Sequence, residues 1–326
     1  MYAHKDGFVE DCYYDDEHTW AVAEAVEKNF EEYFERFVET DGGLLLSDSE
    51  FSELKKKFAS YTNNNSKDNN ANNFKLLIAE AYEEFEKDRQ KYLNIFDDET
   101  LEEWEDDPAT FKSKVLRQEC PIIHSTLYNK RAKELDKYRY EFSKADPEKL
   151  LATITNLYDF ANEYMSDYYD EEAYDIVNAY SDLGLENLDT EEYTVFGVIG
   201  GGIKSHLLYK FQPSAFPNRS RNAIWAFWYL TGKEKFDCEM DSEFIMIDVE
   251  KSTVQQNYFY PYELFSYYAH EVYLLLKEKA EEMGVYIDPR YKYVVVDRFL
   301  NYVAEEHSEE ISLLKSQIRD GGPEYA

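Results

Sequence analysis

Asp146-Pro147-Glu148-Lys149-Leu150-Leu151-Ala152-Thr153-Ile154-Thr155-Asn156-Leu157-Tyr158-Asp159-Phe160-Ala161 is the stretch from which the fold can be read. Pro147 sits where a helix begins, because the first turn needs no N–H from it. Leu150, Leu151, Ile154, Leu157, Tyr158 and Ala161 then recur at helical spacing as one apolar stripe. Upstream, Trp20, Val22, Val26, Phe30, Phe34, Phe37 and Val38 repeat the pattern, and Asp41-Gly42-Gly43 stops it. Ser47 with Glu50 reads as a capping box opening a helix to about Ser60. Asn63 to Asn73 reads as a polar loop, and Phe74 to about Ile95 as another helix. One longer helix is expected from Pro121 through Leu127 and Leu135 to about Phe142. The N-terminal half is therefore expected to be helical.

Downstream of residue 161 the composition changes. No Lys or Arg occurs between Lys149 and Lys204, while twelve carboxylates do. Surface helices ordinarily interleave bases with acids to relieve repulsion. Residues 1–50 are similarly biased, with fifteen acids against three bases. Residues 51–150 and 201–300 are close to balanced, so two acidic blocks alternate with nearly neutral ones. Tyr13-Tyr14-Asp15-Asp16-Glu17 in the first block resembles Tyr168-Tyr169-Asp170-Glu171-Glu172 in the second.

Past Gly184–Asp189 the pattern shifts again. Gly197 and Gly200-Gly201-Gly202 mark a turn before a short helix to Phe211, and an aromatic helix spans Asn222 to Leu230. Phe244 to Val249 and Tyr293 to Val296 read as strands, and Pro261 opens a helix to about Met283. The expected fold is mainly α with a smaller α+β C-terminal part. Its two expected domains are an acidic helical one over 1–187 and an α+β one over 188–326.

The net charge of −33 on 326 residues disfavours direct binding to a nucleic-acid backbone or an anionic membrane, where Lys and Arg supply the affinity. It favours basic protein surfaces. With 30 Tyr and 21 Phe the chain carries far more aromatic side chains than disordered acidic chains do. Cys12, Cys120 and Cys238 are far apart and show no metal-like spacing, which suits a reducing compartment. No signal-peptide layout or spanning apolar run is evident, so a cytoplasmic protein is expected.

The densest charge is at Asp159, Glu163, Asp167, Asp170, Glu171, Glu172 and Asp175. On a single helix these seven would lie one per ~3.5–4 Å, near the ~3.4 Å phosphate spacing of one DNA strand. The Tyr side chains beside them suit a partner rich in Arg and Lys. Candidate partner-binding residues are thus Tyr13, Tyr14, Asp15, Asp16, Glu17, Asp159, Glu163, Asp167, Tyr168, Tyr169, Asp170, Glu171, Glu172 and Asp175. The partner class is a basic protein such as a nucleic-acid-binding enzyme, and one setting is a viral inhibitor of a nuclease-based host defence. The competing reading is a solvated acidic face.

Enzymatic motifs are incomplete. Gly197 to Ser205 approaches a phosphate-binding loop, but Ile203 separates the last Gly from Lys204. His270-Glu271 begins a zinc-protease pattern that fails at Leu274. Asp241, Glu243, Asp248 and Glu250 form the alternative metal site of a nucleic-acid-processing enzyme, although Val249 stands where such a strand needs an acid. Lys204, Lys210, Arg219 and Arg221 form a basic island, read as internal ion pairing or as an anion or oligomer contact. No cofactor is expected, and a homo-oligomeric assembly protein is the third reading.

Overall fold

Val22, Val26, Phe30, Phe34 and Phe37 line the buried face of helix α1 (Asp16–Glu39). Trp20, counted into the same stripe by spacing, is 57% exposed and lies off that face. The computed structural model describes residues 11–39, 66–130, 132, 135–238, 242–248, 253–257 and 260–316. The capping box at Ser47 and its helix lie outside them.

Helix α2 (Ser66–Leu93) begins inside the Asn-rich stretch. Asn69 to Asn73 are therefore helical where a loop was expected, and Asn73 donates to the Val38 carbonyl at the end of α1. A short α3 (Asp98–Glu103) is capped by Asp97, which accepts from the Thr100 N–H. One turn at Pro108–Thr110 then runs into a π-helical segment, Phe111–Glu119. The expected long helix after Pro121 is two pieces, α4 (Pro121–Tyr128) and α5 (Asp136–Lys144). Helix α6 (Pro147–Glu163) starts as its sequence implies, with Asp146 accepting from the Glu148 N–H and Pro147 in the first turn. After α7 (Glu171–Tyr174) come three 3-10 turns, then α8 (Gly201–Phe211) and α9 (Arg221–Leu230).

Strands β1 (Ile245–Asp248) and β2 (Thr253–Gln256) pair antiparallel, with Ile245 opposite Gln256 and Asp248 opposite Thr253. Helices α10 (Tyr262–Glu282), α11 (Lys292–Glu306) and α12 (Ser308–Ser316) complete the described chain. The protein is mainly α. The expected α+β C-terminal part is not what forms, because one short hairpin beside five helices makes no sheet layer.

Tyr293 to Val296, expected as a strand, is the first turn of α11. That helix packs against α1, α2, α9, α10 and α12, so its apolar residues are needed on every side. Such all-round burial erases the period that separates a helix from a buried strand. Phe299 sits at the hub, its ring centroid 5.2 Å from Phe30 and 5.5 Å from Phe37. Burying a Phe like this stabilises a fold by about 1.5–3 kcal/mol.

The expected domain boundary at 187/188 falls inside the 3-10 turn Glu186–Asp189, whose Leu188 is fully buried. Helix α1, from the first expected domain, packs on α9, α10 and α11 of the second. Buried side chains from Tyr13 to Ile311 belong to one hydrophobic cluster, so the described residues share a single core. Among them no helix is long and apolar enough to cross a membrane.

Candidate protein-interaction face

The acidic block does not lie on one rod. Helix α6 ends at Glu163, a π-helical turn spans Tyr164–Tyr168, and the backbone turns extended at Tyr169 and Asp170. The Asp170 carboxylate then caps α7, accepting from the Ala173 N–H at 2.8 Å. Tyr164 accounts for the break. Its buried hydroxyl donates to the Leu183 carbonyl at 2.7 Å and contacts the Tyr174 hydroxyl. The regular one-strand phosphate spacing expected over 159–175 is thereby corrected.

All seven carboxylates of that block are exposed. The tyrosines beside them divide. Tyr164 and Tyr174 are core residues, Tyr169 is half-buried, and Tyr168 is 78% exposed, with Ile176 close behind it in sequence at 72%. Beneath the block lies Lys292, buried at the start of α11. Its ammonium stands 3.7 Å from the Tyr174 ring centroid, 5.0 Å from that of Tyr169 and 5.5 Å from that of Tyr273. Burial brings the Lys292 pKa down to about 7, partly opposed by the charges of Asp175 and Glu171.

The first acidic segment meets the chain at Tyr180, just past the 159–175 block. Tyr13 is fully buried, its ring centroid 5.2 Å from that of Tyr260, so it is a core residue and not the surface anchor expected. Tyr14 turns outward, with its ring centroid 5.5 Å from that of Tyr180, and the Tyr180 hydroxyl donates to the Tyr14 carbonyl at 3.2 Å. Asp15, Asp16 and Glu17 follow, exposed, at the start of α1. That position suits them, since a helix N-terminus favours negative charge.

Glu263, in the first turn of α10, closes this seam from the C-terminal side. Its pKa is raised to about 7 by burial and then by the charges of Asp189 and Glu186, with the nearby Tyr14 hydroxyl opposing the shift. Asp189 accepts the Tyr262 N–H at 3.0 Å and pairs with the Lys204 ammonium at 3.1 Å. Asp175 pairs with Lys277 across the surface at 2.7 Å. Sequence reading missed Glu263 and Asp189, because their part depends on where α10 starts relative to residue 14.

The basic island is mostly internal. Lys204 is buried and also donates to the Leu188 carbonyl. Lys210 is buried, 2.9 Å from Asp88 and 4.6 Å from the Phe85 ring centroid. Arg219 is buried and donates to the Asn257 carbonyl at 2.8 Å. Of the four, Arg221 alone is exposed. Lys204, Lys210 and Arg219 are thus engaged within the fold, and Arg221 is the member of the island left at the surface.

The alternative carboxylate site also changes. Glu243 is fully buried and accepts from His18 Nε2 at 2.6 Å and from the Tyr260 hydroxyl at 3.1 Å. Asp241, Glu250 and the Asp248 side chain lie outside the described residues. Cys12 and Cys238, far apart in sequence, meet at His18, with one ligand atom from each of the three within 4.8 Å of the others. No local spacing announces this group. Comparison with family models, with curated proteins and with solved structures finds no match to the chain.

Proposed function

We propose that this chain is an acidic, tyrosine-bearing protein-binding protein that occupies the basic surface of a nucleic-acid-binding enzyme and thereby inhibits it. The observation that carries the reading is the junction at Tyr14 and Tyr180, where two sequence-remote acidic segments meet. A lone acidic helix is an ordinary solvated surface. Two acidic segments held together by tyrosine contacts give a broader anionic face with an aromatic at its centre. The exposed Tyr168 and Ile176 add large contact area where the second segment turns outward. Carboxylates beside aromatic rings suit Arg and Lys through ion pairs and cation–π contacts.

The face differs from a regular phosphate ladder, so the mimicry lies in charge density and not in strand geometry. Capture of partners by the immobilised full chain, compared at about 50 mM and about 200 mM salt, tests the reading. Binding should fall steeply with salt and with the triple reversal Asp15→Lys, Asp16→Lys and Asp182→Lys. Capture that survives both would overturn it.

A further inference from the structure

Cys12, His18 and Cys238 come from three separate pieces of chain. Cys12 lies on the 3-10 turn Asp11–Tyr14, His18 on the first turn of α1, and Cys238 at the end of the loop after α9. We propose that these three side chains form a zinc site that fastens the N-terminal turn to the loop ending at Cys238.

The donor chemistry selects the ion. Two thiolates and an imidazole are soft and borderline ligands, which favour Zn²⁺ over Mg²⁺ or Ca²⁺. In tetrahedral zinc, bonds of about 2.3 Å to sulfur and 2.0–2.1 Å to nitrogen put the donors roughly 3.5–3.8 Å apart. The donors here lie within 4.8 Å of one another, so a shift of about 1.3 Å or less closes the set. A fourth ligand, water or another group, completes the tetrahedron.

Glu243 supplies the support such a site uses. Metal-bound histidines donate their second ring N–H to a carboxylate or carbonyl, which fixes the tautomer and orients the ring. His18 Nε2 lies 2.6 Å from the buried Glu243 carboxylate, which leaves Nδ1 as the coordinating nitrogen. Tyr260 holds the same carboxylate oxygen at 3.1 Å, and the Asn257 side chain donates to the Glu243 carbonyl at 2.9 Å. The loop that delivers Cys238 takes left-handed conformations at Phe236 (φ 47°) and Asp237 (φ 60°). A phenylalanine rarely adopts such a conformation unless its surroundings impose it. Coordination of the neighbouring Cys238 would impose it.

Binding forms two Zn–S bonds and one Zn–N bond, and each cysteine that arrives as a thiol releases its proton to solvent. The turn so fastened is the one that carries Tyr14 and leads into Asp15, Asp16 and Glu17. The zinc inference does not depend on what that surface binds.

Metal content and cobalt spectroscopy of the reduced full chain test the site. One equivalent of zinc per chain is expected by elemental analysis. Co²⁺ should give the near-ultraviolet thiolate charge-transfer band and the visible bands of a tetrahedral centre. Cys12→Ser and Cys238→Ser should lose the charge-transfer signal in whole or large part, and Cys120→Ser should keep it. Glu243→Gln, which leaves all three ligands in place, should weaken zinc affinity about 10–100-fold at unchanged stoichiometry. The inference is overturned if the reduced, folded wild-type chain takes up neither ion. It is overturned equally if the charge-transfer band survives both cysteine variants, or if Cys12 and Cys238 are isolated as a disulfide in protein that takes up no metal after reduction.

Discussion

The Tyr180 hydroxyl donates to the backbone carbonyl of Tyr14, across 166 residues of sequence, with the two rings in an edge-on contact. Asp16 from one side and Asp182 from the other both come near Tyr267, whose pKa is raised by burial first and then by the charges of Glu271, Asp182 and Asp16. Burial raises the Tyr180 pKa above its ordinary value, and the charges of Glu263, Asp16 and Asp15 raise it further.

Tyr180→Ala should release the N-terminal turn without unfolding the core. Amide exchange over residues 11–17 should accelerate, while exchange in α11 stays unchanged. Tyr180→Phe, which keeps the ring and removes the donor, should cost about 0.5–1.5 kcal/mol, at the lower end because the bond is exposed.

Glu263 makes stability fall with rising pH in a defined window. Its pKa is raised from 4.5 to about 7, so between those values the folded state holds a proton that the unfolded state has lost. Stability therefore declines as pH rises from about 4.5 to 7. Glu263→Gln should remove that part of the decline and leave the variant relatively more stable at pH 8 than at pH 4. Urea midpoints across this range measure it.

Lys292 acts with the opposite slope at higher pH. Its pKa falls from 10.5 to about 7, so between those values the unfolded state holds the extra proton. Stability from this group rises as pH goes from about 7 toward 10.5. Lys292→Met, in the same tyrosine surround, should abolish that rise in denaturation measured from pH 7 to 10.

Gly197 is placed where an added side chain is both strained and crowded. Its φ is 72°, and an added Cβ would stand 2.8 Å from Glu141 Cγ. Gly197→Ala should destabilise by at least about 1 kcal/mol, from the left-handed backbone alone, as read by thermal or urea unfolding. Gly184→Ala, at φ 62° with open space around it, should carry the backbone cost without the contact.

The sequence shows the helices whose pattern is one-sided and hides those that are buried all round. Val22 to Val38 and Leu150 to Ala161 announce α1 and α6, because each has one face in the core and one in solvent. Val294, Val295 and Val296 mislead, because α11 is enclosed by five other helices and β-branched residues there fill space whatever their propensity. The acidic bias was legible, but its shape was not. The break after Tyr164 arises from a hydrogen bond to Leu183, and the junction with residues 14–17 from a contact spanning half the chain. The meeting of Cys12, His18 and Cys238 is of the same kind, and spacing cannot report it.

Competition with nucleic acid distinguishes a chain that occupies a nucleic-acid-binding surface from one that binds elsewhere. Purified chain is bound to the nucleic-acid-binding partner it captures, and duplex DNA is titrated in at about 50 mM salt. Displacement of the chain by DNA is predicted, with the complex formed by wild type and not by the Asp15, Asp16 and Asp182 reversal. A complex that DNA leaves intact, or that the charge-reversed chain forms equally well, would show that the chain does not act by occupying a nucleic-acid-binding surface through these charges.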